Sequence, residues 1–524
     1  MAKQLPVKPQ LRDLSPRWIQ RQDGVFLPLE DDLGLAKTAV QIQQNLTPML
    51  LLCDGTRTLS SINGGLLLQG ISIGEQRIYK LIEQLDDALL LENGKFAGEK
   101  NKAIQKYRNS KNRPMSFAGT IYPAATSDLD LFIEESKSKF KRSGQSDKYD
   151  GVLQGLLSPH IDFARGYATY AELWKESEEG LDGVEQVVIL GTDHTGGLGS
   201  ITPTMQNYQT PYSELETDLE GIKLVETAIA GKDPYNEELH HLKEHSIELA
   251  LTWLHHAMEG KQFKLLPILC GSFQKFIVDK QQPDNDETIR NVINSISEYR
   301  KKARTLVIAA GDLAHVGPEF GDATPMDELS LANLASKAHI SLASIERGDP
   351  DNFFETSVEE ADVRKICGLT PMYLMGKILT DCRGYSVGYD QCPADQNKTS
   401  FVSIAGTLLF GEEGKVEMKR VGFLLKVREE CIEEYKTHHQ NVWKEMKTAL
   451  LKHGWRNYSL FIRTDGLLFG YFEARESFAK SLEGMETEEI NTDWQEFMSP
   501  YFEILESSAP DQSMLELEEV FHLD

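Results

Sequence analysis

The chain has 524 residues, of which 40% are hydrophobic and 26% charged, and its formal net charge is −26 at pH 7. This length exceeds what one hydrophobic core usually organises, so about three domains are expected. The negative charge argues against nucleic acid and anionic membranes as partners, and no apolar run approaches the ~18 residues of a membrane span.

The N-terminus and the cysteines bear on the compartment. The segment MAKQLPVKPQ lacks the apolar core of a secretory signal, and the six cysteines are scattered without the regular spacing of a disulfide framework. We therefore expect a soluble protein of a reducing cytoplasm.

Two polar stretches interrupt the apolar periodicity. One is the basic run from Gly98 to Pro114, and the other is the charged segment from Gly411 to Lys419. Composition of this kind is typical of linkers. The sequence therefore predicts three domains, covering residues 1–105, 113–412 and 419–524.

The N-terminal domain contains the segments LLCDGTRTLSSI and LIEQLDDALLLENGKF, where helical apolar spacing gives way to a short strand-like run and a polar turn. This pattern predicts a small winged-helix arrangement. It resembles the PqqD-like domains that bind leader peptides, and the resemblance implies a peptide or protein partner. The alternative is a helical domain that only packs on the central one. DNA binding is not expected of such an acidic chain.

The central domain alternates short apolar runs with amphipathic stretches of helical length, which is typical of a mostly parallel sheet covered on both faces. We predict an α/β domain. The predicted strands are Val152 to Leu157, Val184 to Leu190, Lys264 to Cys270 and Thr305 to Ala310, and the predicted helices include Glu244 to Met258 and Glu287 to Lys302.

A histidine and an aspartate follow each of three predicted strands, in the segments SPHIDF, GTDHTGG and AGDLAHVG. These segments contain His160, His194 and His315. Loops at the carboxyl ends of parallel strands converge on one crevice, so the three imidazoles are expected to meet. Neutral imidazoles bind iron, copper or zinc, and three protein ligands leave positions open for substrate or oxygen.

A single histidine after a strand is usually a hydrogen-bonded loop residue, whereas three in equivalent positions favour a metal site. A fourth histidine, His245 in KEHSIE, begins a predicted helix between two acidic residues. It is a candidate acid/base or outer-shell group, and the alternative is an ordinary helix-start residue.

These segments resemble the Memo family, whose fold is related to that of extradiol ring-cleaving dioxygenases with non-haem iron. The motifs AGTIYP, SPH, LGTDH, EHSIE, GDLAHVG, KICG and SFVSIAG occur in the family's order and span nearly the whole central domain. The resemblance implies that His160 and His194 bind a transition metal, iron or copper, and that His245 lies beside it as the acid/base. It leaves the reaction open, with an oxidative role as one expectation.

Two features depart from the family's pattern. Many relatives carry cysteine or another residue where this chain has His315, and the loop PHIDFARGY is longer than the usual PHAGY. A third imidazole still suits iron or copper, while a thiolate favours a softer metal and different redox behaviour.

The C-terminal domain is predicted to have the order βαββα, as in ferredoxin-like α+β domains. Its elements are the strand VGFLLKV, a helix from Glu429 to His453, the strands NYSLFI and LLFGYFEA, and a helix with NTDWQEFM. On the first helix Tyr435, His439 and Trp443 are spaced i, i+4 and i+8 and share one face. An aromatic stripe alone is more often core, but its histidine favours a site.

A histidine beside a tyrosine and tryptophans suits proton transfer on a bound sugar, such as the conversion of one anomer into the other. That conversion opens the pyranose ring, so one group removes the proton of the anomeric hydroxyl and another protonates the ring oxygen. Histidine, with a usual pKa near ~6.5, serves in both directions at neutral pH. A nearby phenol donates or relays the proton, and the rings of Trp443 and Trp494 offer flat apolar surfaces for a sugar.

The segments EEYKTHHQNVW, HGWRNYSLF, LLFGYFE, DWQEFM and ELEEVFHL resemble L-rhamnose mutarotases from end to end. The resemblance implies that His439 and Tyr435 are catalytic, that Trp494 and Tyr458 bind the sugar, and that the chain is a homodimer. The proton transfers themselves require no metal or nucleotide. The family's proline after the histidine is absent and Gln495 replaces a tryptophan, so we expect an altered pocket for L-rhamnose or a similar deoxy-sugar.

Two interpretations follow. The first is a multidomain enzyme with a sugar mutarotase and a metal-dependent second site. The second is a binding or assembly protein with a peptide-binding N-terminal domain and a structural metal site. A pocket bordered by Tyr435, His439 and Trp494 favours the enzyme, whereas burial of these side chains under apolar neighbours favours the assembly protein.

Overall fold

A computed structural model of the chain describes residues 5–14, 18–21, 24–36, 38–145, 149, 151–229, 231, 233–411, 419–474, 477–503 and 510–522. The chain forms two compact units, of which the first contains Met1–Arg300 and Arg304–Glu413 and the second Lys301–Ala303 and Gly414–Asp524. Within the described ranges, no helix is long and apolar enough to cross a membrane.

The first unit begins with a small antiparallel sheet, which is followed by four helices. The strands are β1 (Ile19–Arg21), β2 (Gly24–Leu29) and β3 (Val40–Gln43), and the helices are α1 (Thr47–Leu52), α2 (Leu59–Leu68), α3 (Glu75–Asp87) and α4 (Gly94–Arg108). Leucine and isoleucine side chains of the sheet and of the first three helices form one buried core.

The predicted linker from Gly98 to Pro114 is helical over most of its length. Helix α4 begins at an N-cap, where Oδ1 of Asn93 accepts the backbone N–H groups of Lys95 and Phe96 at 3.0 Å each. Its Lys, Glu, Gln and Ala residues are polar or small but are good helix formers, so polarity alone did not mark a linker. The second predicted linker lies largely outside the described residues.

The rest of the first unit is an α/β structure. Its strands are β4 (Asn112–Arg113), β5 (Val152–Ser158), β6 (Gln186–Thr192), β7 (Ile201–Pro203), β8 (Asn207–Gln209), β9 (Glu214–Leu215), β10 (Lys264–Cys270), β11 (Thr305–Ala310), β12 (His315–Val316), β13 (Arg383–Pro393) and β14 (Phe401–Gly411). The main sheet has the order β12-β14-β5-β11-β6-β10-β7, with β13 paired to β14, and β4, β8 and β9 form a separate small sheet.

The four central strands β5, β11, β6 and β10 are parallel, as predicted, and antiparallel strands extend the sheet at both edges. The helices of this part are α5 (Thr126–Ser138), α6 (Phe163–Ser177), α7 (Leu219–Ala228), α8 (Ser246–Ala257), α9 (Gln274–Asp279), α10 (Glu287–Tyr299), α11 (Glu328–Glu346), α12 (Pro350–Glu359) and α13 (Leu369–Ile378). Two large buried clusters use the central strands' side chains, one on each face of the sheet. The continuous apolar runs of these strands follow from this burial on both faces.

The second unit is an antiparallel α+β structure. Its elements are β15 (Lys419–Lys426), α14 (Ile432–Gln440), α15 (Lys444–Lys452), β16 (Arg456–Ile462), β17 (Leu467–Ala474), α16 (Phe478–Glu486), α17 (Glu489–Met498) and β18 (Leu515–Leu517), with the strand order β16-β17-β15-β18. The apolar side chains of β15 and β17 pack with those of the helices in a separate core.

The helix predicted from Glu429 to His453 is interrupted. Helix α14 ends at Gln440, and Asn441 leaves helical geometry with φ −128° and ψ 43° before α15 begins at Lys444. Asparagine and the β-branched Val442 are weak helix formers, which favours a break at this point. Trp443 therefore does not continue the helical face of Tyr435 and His439.

Candidate functional sites

Three imidazoles meet at the carboxyl ends of the central strands. His160 follows β5, His194 follows β6, and His245 is the N-cap residue of α8. Their ring centroids are 5.0 to 5.2 Å apart in every pairing. Parallel strands thus bring together residues that are far apart in the sequence.

A buried carboxylate orients two of these rings. Glu244 has its Oε2 3.0 Å from Nδ1 of His194 and its Oε1 3.1 Å from Nδ1 of His245. Burial alone would raise the pKa of Glu244, but the two histidines hold it well below its usual value. A carboxylate on Nδ1 directs the Nε2 atom toward a metal, as in many metal sites.

Cys367 completes this group, although the sequence-based prediction gave it no role. Its Sγ lies 3.2 Å from Nε2 of His160, and ligand atoms of His160, His194 and Cys367 all lie within 4.8 Å of one another. Burial holds the pKa of His160 well below its usual value, and its neutral ring can bind a metal. The sequence signal for Cys367 is its place in the KICG motif.

Two backbone features hold the cysteine loop against the strand ends. The Gly368 N–H donates to the Asp312 carbonyl at 3.0 Å, and the Cα atoms of Gly311 and Gly368 are too close to leave room for a Cβ on either residue. Asp312 accepts the backbone N–H of His160 at 2.8 Å, and burial raises the pKa of this carboxyl to about 6.

The structure does not bring His315 into this ligand group. Its Nδ1 is 3.3 Å from the Leu313 carbonyl and 3.2 Å from the Lys365 carbonyl, and its ring packs edge-on against Phe320. The backbone of β12 turns the side chain toward these carbonyls. Among the described residues, Cys367 rather than His315 lies with His160 and His194 in the group whose ligand atoms are within 4.8 Å of one another.

A second group of possible ligands lies beside the first. Ligand atoms of Asp193, Glu237 and His240 are within 4.8 Å of one another. His240 already pairs with Asp193 at 2.8 Å, and Glu237 accepts the Gly197 N–H. These contacts account for the three side chains as a structural network.

In the second unit, four predicted site residues line one cavity of about 560 Å³, which we call the C-terminal cavity. They are Tyr435, His439, Tyr458 and Trp494, and apolar side chains form much of the remaining wall. The volume falls within the range of about 300 to 1,000 Å³ that is usual for small-molecule sites. This arrangement favours the enzyme over the assembly protein.

The imidazole of His439 has a defined orientation in this cavity. Its Nδ1 donates to the Tyr435 carbonyl at 3.1 Å, so Nε2 carries the lone pair of the neutral ring. No described residue forms a hydrogen bond with Nε2. Burial lowers the pKa of His439, which favours the neutral form at pH 7.

Aromatic side chains surround this histidine. The ring of Tyr435 stacks on it at 4.1 Å and Trp494 meets it edge-on at 5.7 Å. Burial raises the pKa values of Tyr435 and Tyr458, so both phenols keep their protons at neutral pH. Trp443 packs on the ring of Trp494 at 5.0 Å and is not part of the cavity wall.

The protein therefore has two candidate sites on two folds. The α/β unit contains a cluster of histidines and a cysteine, and the α+β unit contains a cavity lined by a histidine. Residues 113–408 match the family model described as Memo-like protein, and residues 420–523 match that of L-rhamnose mutarotase. The chain belongs to the Memo-like family and, in its C-terminal unit, to the L-rhamnose mutarotase family.

Individual relatives match one part of the chain or the other. A MEMO1 family protein of Aquifex aeolicus is 24% identical over 320 residues, which are 60% of this chain and 78% of the relative. One of Methanocaldococcus jannaschii is 31% identical over 220 residues, covering 40% of this chain and 71% of the relative. An L-rhamnose mutarotase of Oceanobacillus iheyensis is 36% identical over 108 residues, covering 20% of this chain and the whole relative.

Solved structures also match part of the chain. The crystal structure of an L-rhamnose mutarotase from Formosa agariphila is 28% identical, covers 20% of this chain and 99% of its own, and has a TM-score of 0.17.

Proposed function

We propose that the second unit interconverts the α and β anomers of L-rhamnose or a similar deoxy-sugar, with His439 as the acid/base. Membership of the mutarotase family supports carbohydrate isomerase activity in this unit. The observation that carries the assignment to His439 is its geometry, with Nδ1 fixed by the Tyr435 carbonyl and the ring on the wall of the C-terminal cavity.

The proposed reaction begins when Nε2 of His439 removes the proton of the anomeric hydroxyl. The bond between the anomeric carbon and the ring oxygen breaks, a carbonyl forms at that carbon, and the ring oxygen takes a proton from a donor. Tyr435 is the proposed donor, because its phenol is protonated and has no hydrogen-bond partner among the described residues. Rotation of the open chain and the reverse steps give the other anomer.

Replacement of His439 tests this proposal. We expect His439→Ala in the full chain to slow anomer exchange by about 10² to 10⁴-fold, as measured by saturation-transfer NMR on L-rhamnose. The neighbouring histidine provides a matched control, since His438 hydrogen bonds to the Tyr501 hydroxyl at 3.0 Å and does not line the cavity. Equal exchange rates for His439→Ala and His438→Ala would contradict the assignment.

For the first unit, we propose that His160, His194 and Cys367 bind one transition metal ion. Two imidazoles and a thiol converge within 4.8 Å, and Glu244 orients His194 from behind, which fits such an ion. Imidazole suits iron and copper, and the thiolate favours the softer Cu(I). A bound ion of either kind would supply redox or Lewis-acid chemistry.

His245 is the proposed proton carrier beside this metal. Its Nδ1 lies 3.1 Å from Glu244, and its ring is 5.0 Å from that of His160. The Phe117 ring packs edge-on against it at 5.8 Å, which restricts its motion. His245 can therefore hold or transfer a proton without being one of the three ligands.

Elemental analysis of the purified chain tests metal binding. We expect about one transition metal ion per chain, lost when His160 and His194 are both replaced by alanine. Cys367→Ser should lower the metal content. Cys431 is a partly exposed free cysteine of the second unit, so Cys431→Ser should leave the metal content unchanged. No metal in the unmodified chain would contradict the proposal.

Four expectations stay predictions from the sequence. They are the winged-helix architecture of the N-terminal part, its peptide partner, the cytoplasmic location and the homodimer.

A further inference from the structure

One residue that lines the C-terminal cavity, Asp511, has a buried carboxylate oxygen without a hydrogen-bond partner among the described residues. Asp511 lies in the short 3₁₀ turn Pro510–Ser513, lines the cavity and is only 8% exposed. Its Oδ2 accepts a hydrogen bond from Nδ2 of Asn491 at 3.0 Å, while Oδ1 is buried and unpaired. An unpaired buried acceptor is unfavourable, and a ligand hydroxyl that reaches it removes this penalty.

Two amides fix the orientation of this carboxylate. Because a carboxylate only accepts hydrogen bonds, Asn491 must turn its Nδ2 toward Asp511. The Oδ1 of Asn491 then faces Gln495 and accepts its Nε2–H at 3.1 Å. Gln495 lines the cavity as well, so a polar chain of three side chains runs along this part of its wall.

This polar chain lies on the same cavity as the proposed acid/base. Asn491, Trp494 and Gln495 are spaced i, i+3 and i+4 on α17 and share one face of the helix. Trp494 on that face contacts the His439 ring. Among the described lining residues, Asp511 is the one carboxylate.

We infer that Asp511 is a specificity-determining residue, whose Oδ1 accepts a hydrogen bond from a pyranose hydroxyl other than the anomeric one. Asn491 and Gln495 are its positioning residues. This inference rests on the proposed mutarotase function, and it selects sugars that have a hydroxyl at the ring position facing Asp511. A hydrogen bond to a carboxylate is stronger than one between neutral groups, so its loss is measurable.

The test uses Asp511→Asn in the full chain, which keeps the size of the side chain. Asp493→Asn is the matched control, because Asp493 is an exposed aspartate on α17, the helix of Asn491, and does not line the cavity. Saturation-transfer NMR on L-rhamnose should give a KM about tenfold or more above that of the unmodified chain for Asp511→Asn, with kcat little changed. If the Asp511→Asn variant does not fold, Asp511→Ser serves as a second variant.

Analogues of L-rhamnose that each lack one ring hydroxyl separate specificity from a structural effect. One analogue should raise the KM of the unmodified chain by a similar factor, and Asp511→Asn should add no further loss with that analogue. An unchanged KM on L-rhamnose, or an equal added loss with every analogue, overturns the inference alone. Absence of exchange by the unmodified chain overturns the proposed function and this inference with it.

Discussion

Gly368→Ala is expected to weaken the metal site without touching a ligand. Gly368 directly follows Cys367 and has φ −76° and ψ 3°, a conformation that alanine also adopts, so the backbone itself tolerates the change. The new methyl group, however, would lie 2.5 Å from the end of the Met372 side chain, and 2.8 and 2.9 Å from two backbone atoms, the Asp312 carbonyl oxygen and the Gly311 Cα.

The required displacement follows from these distances. Ordinary contacts of a Cβ begin at 3.4 Å, so the loop must move by about 0.5 to 0.6 Å. Overpacking of this kind costs about 1 to 3 kcal/mol of folding free energy. A movement of this size exceeds the tolerance of about 0.2 Å in metal–ligand distances, so we expect metal affinity to fall by about 10 to 100-fold.

Thermal unfolding and metal titration measure the two effects separately. The matched control is Gly98→Ala in α4, where nothing lies within 4 Å of the added methyl group. That change should be neutral or stabilise the helix by up to about 1 kcal/mol. Wild-type stability in Gly368→Ala would refute the close-contact argument, and reduced stability with full metal affinity would refute Cys367 as a ligand.

Two further predictions concern the two units in turn. Because burial lowers the pKa of His439 below its usual value near 6.5, the rate of anomer exchange should be constant at neutral pH. The rate should fall on acidification below pH 6.5, as the base becomes protonated. A decline that begins above pH 7 in the pH–rate profile would contradict this prediction. The Glu248 side chain is 1% exposed, pairs with the fully buried Arg113, and accepts hydrogen bonds from the Phe117 N–H and the Tyr122 hydroxyl. Glu248→Ala should therefore lower the unfolding free energy of the first unit by about 3 to 5 kcal/mol. A decrease of less than about 1 kcal/mol in urea unfolding would contradict this prediction.

Burial explains why the central strands could be predicted from the sequence. The bounds of β10 and β11 agree with those predicted, because both strands are buried on both faces and appear as continuous apolar runs. His160 and His194 follow such strands, so their convergence could be predicted as well. The metal-ligand roles assigned to His160 and His194 stay predictions.

Other features depend on contacts that no local pattern contains. Cys367 meets His160 across 207 residues of sequence from a loop without strand periodicity. Trp443 leaves the predicted helical face because the helix breaks at Asn441, and intrinsic propensity alone is too weak to fix such a boundary. Asp511 reaches the cavity by tertiary packing, and its pairing with Asn491 joins two separate elements.

The most direct test of the central claim uses the unmodified full chain. Saturation-transfer NMR on L-rhamnose and related deoxy-sugars should detect exchange between α and β anomers well above the rate in buffer, and the rate should rise in proportion to protein concentration. Exchange at the buffer rate for every sugar would contradict the assignment of the C-terminal cavity.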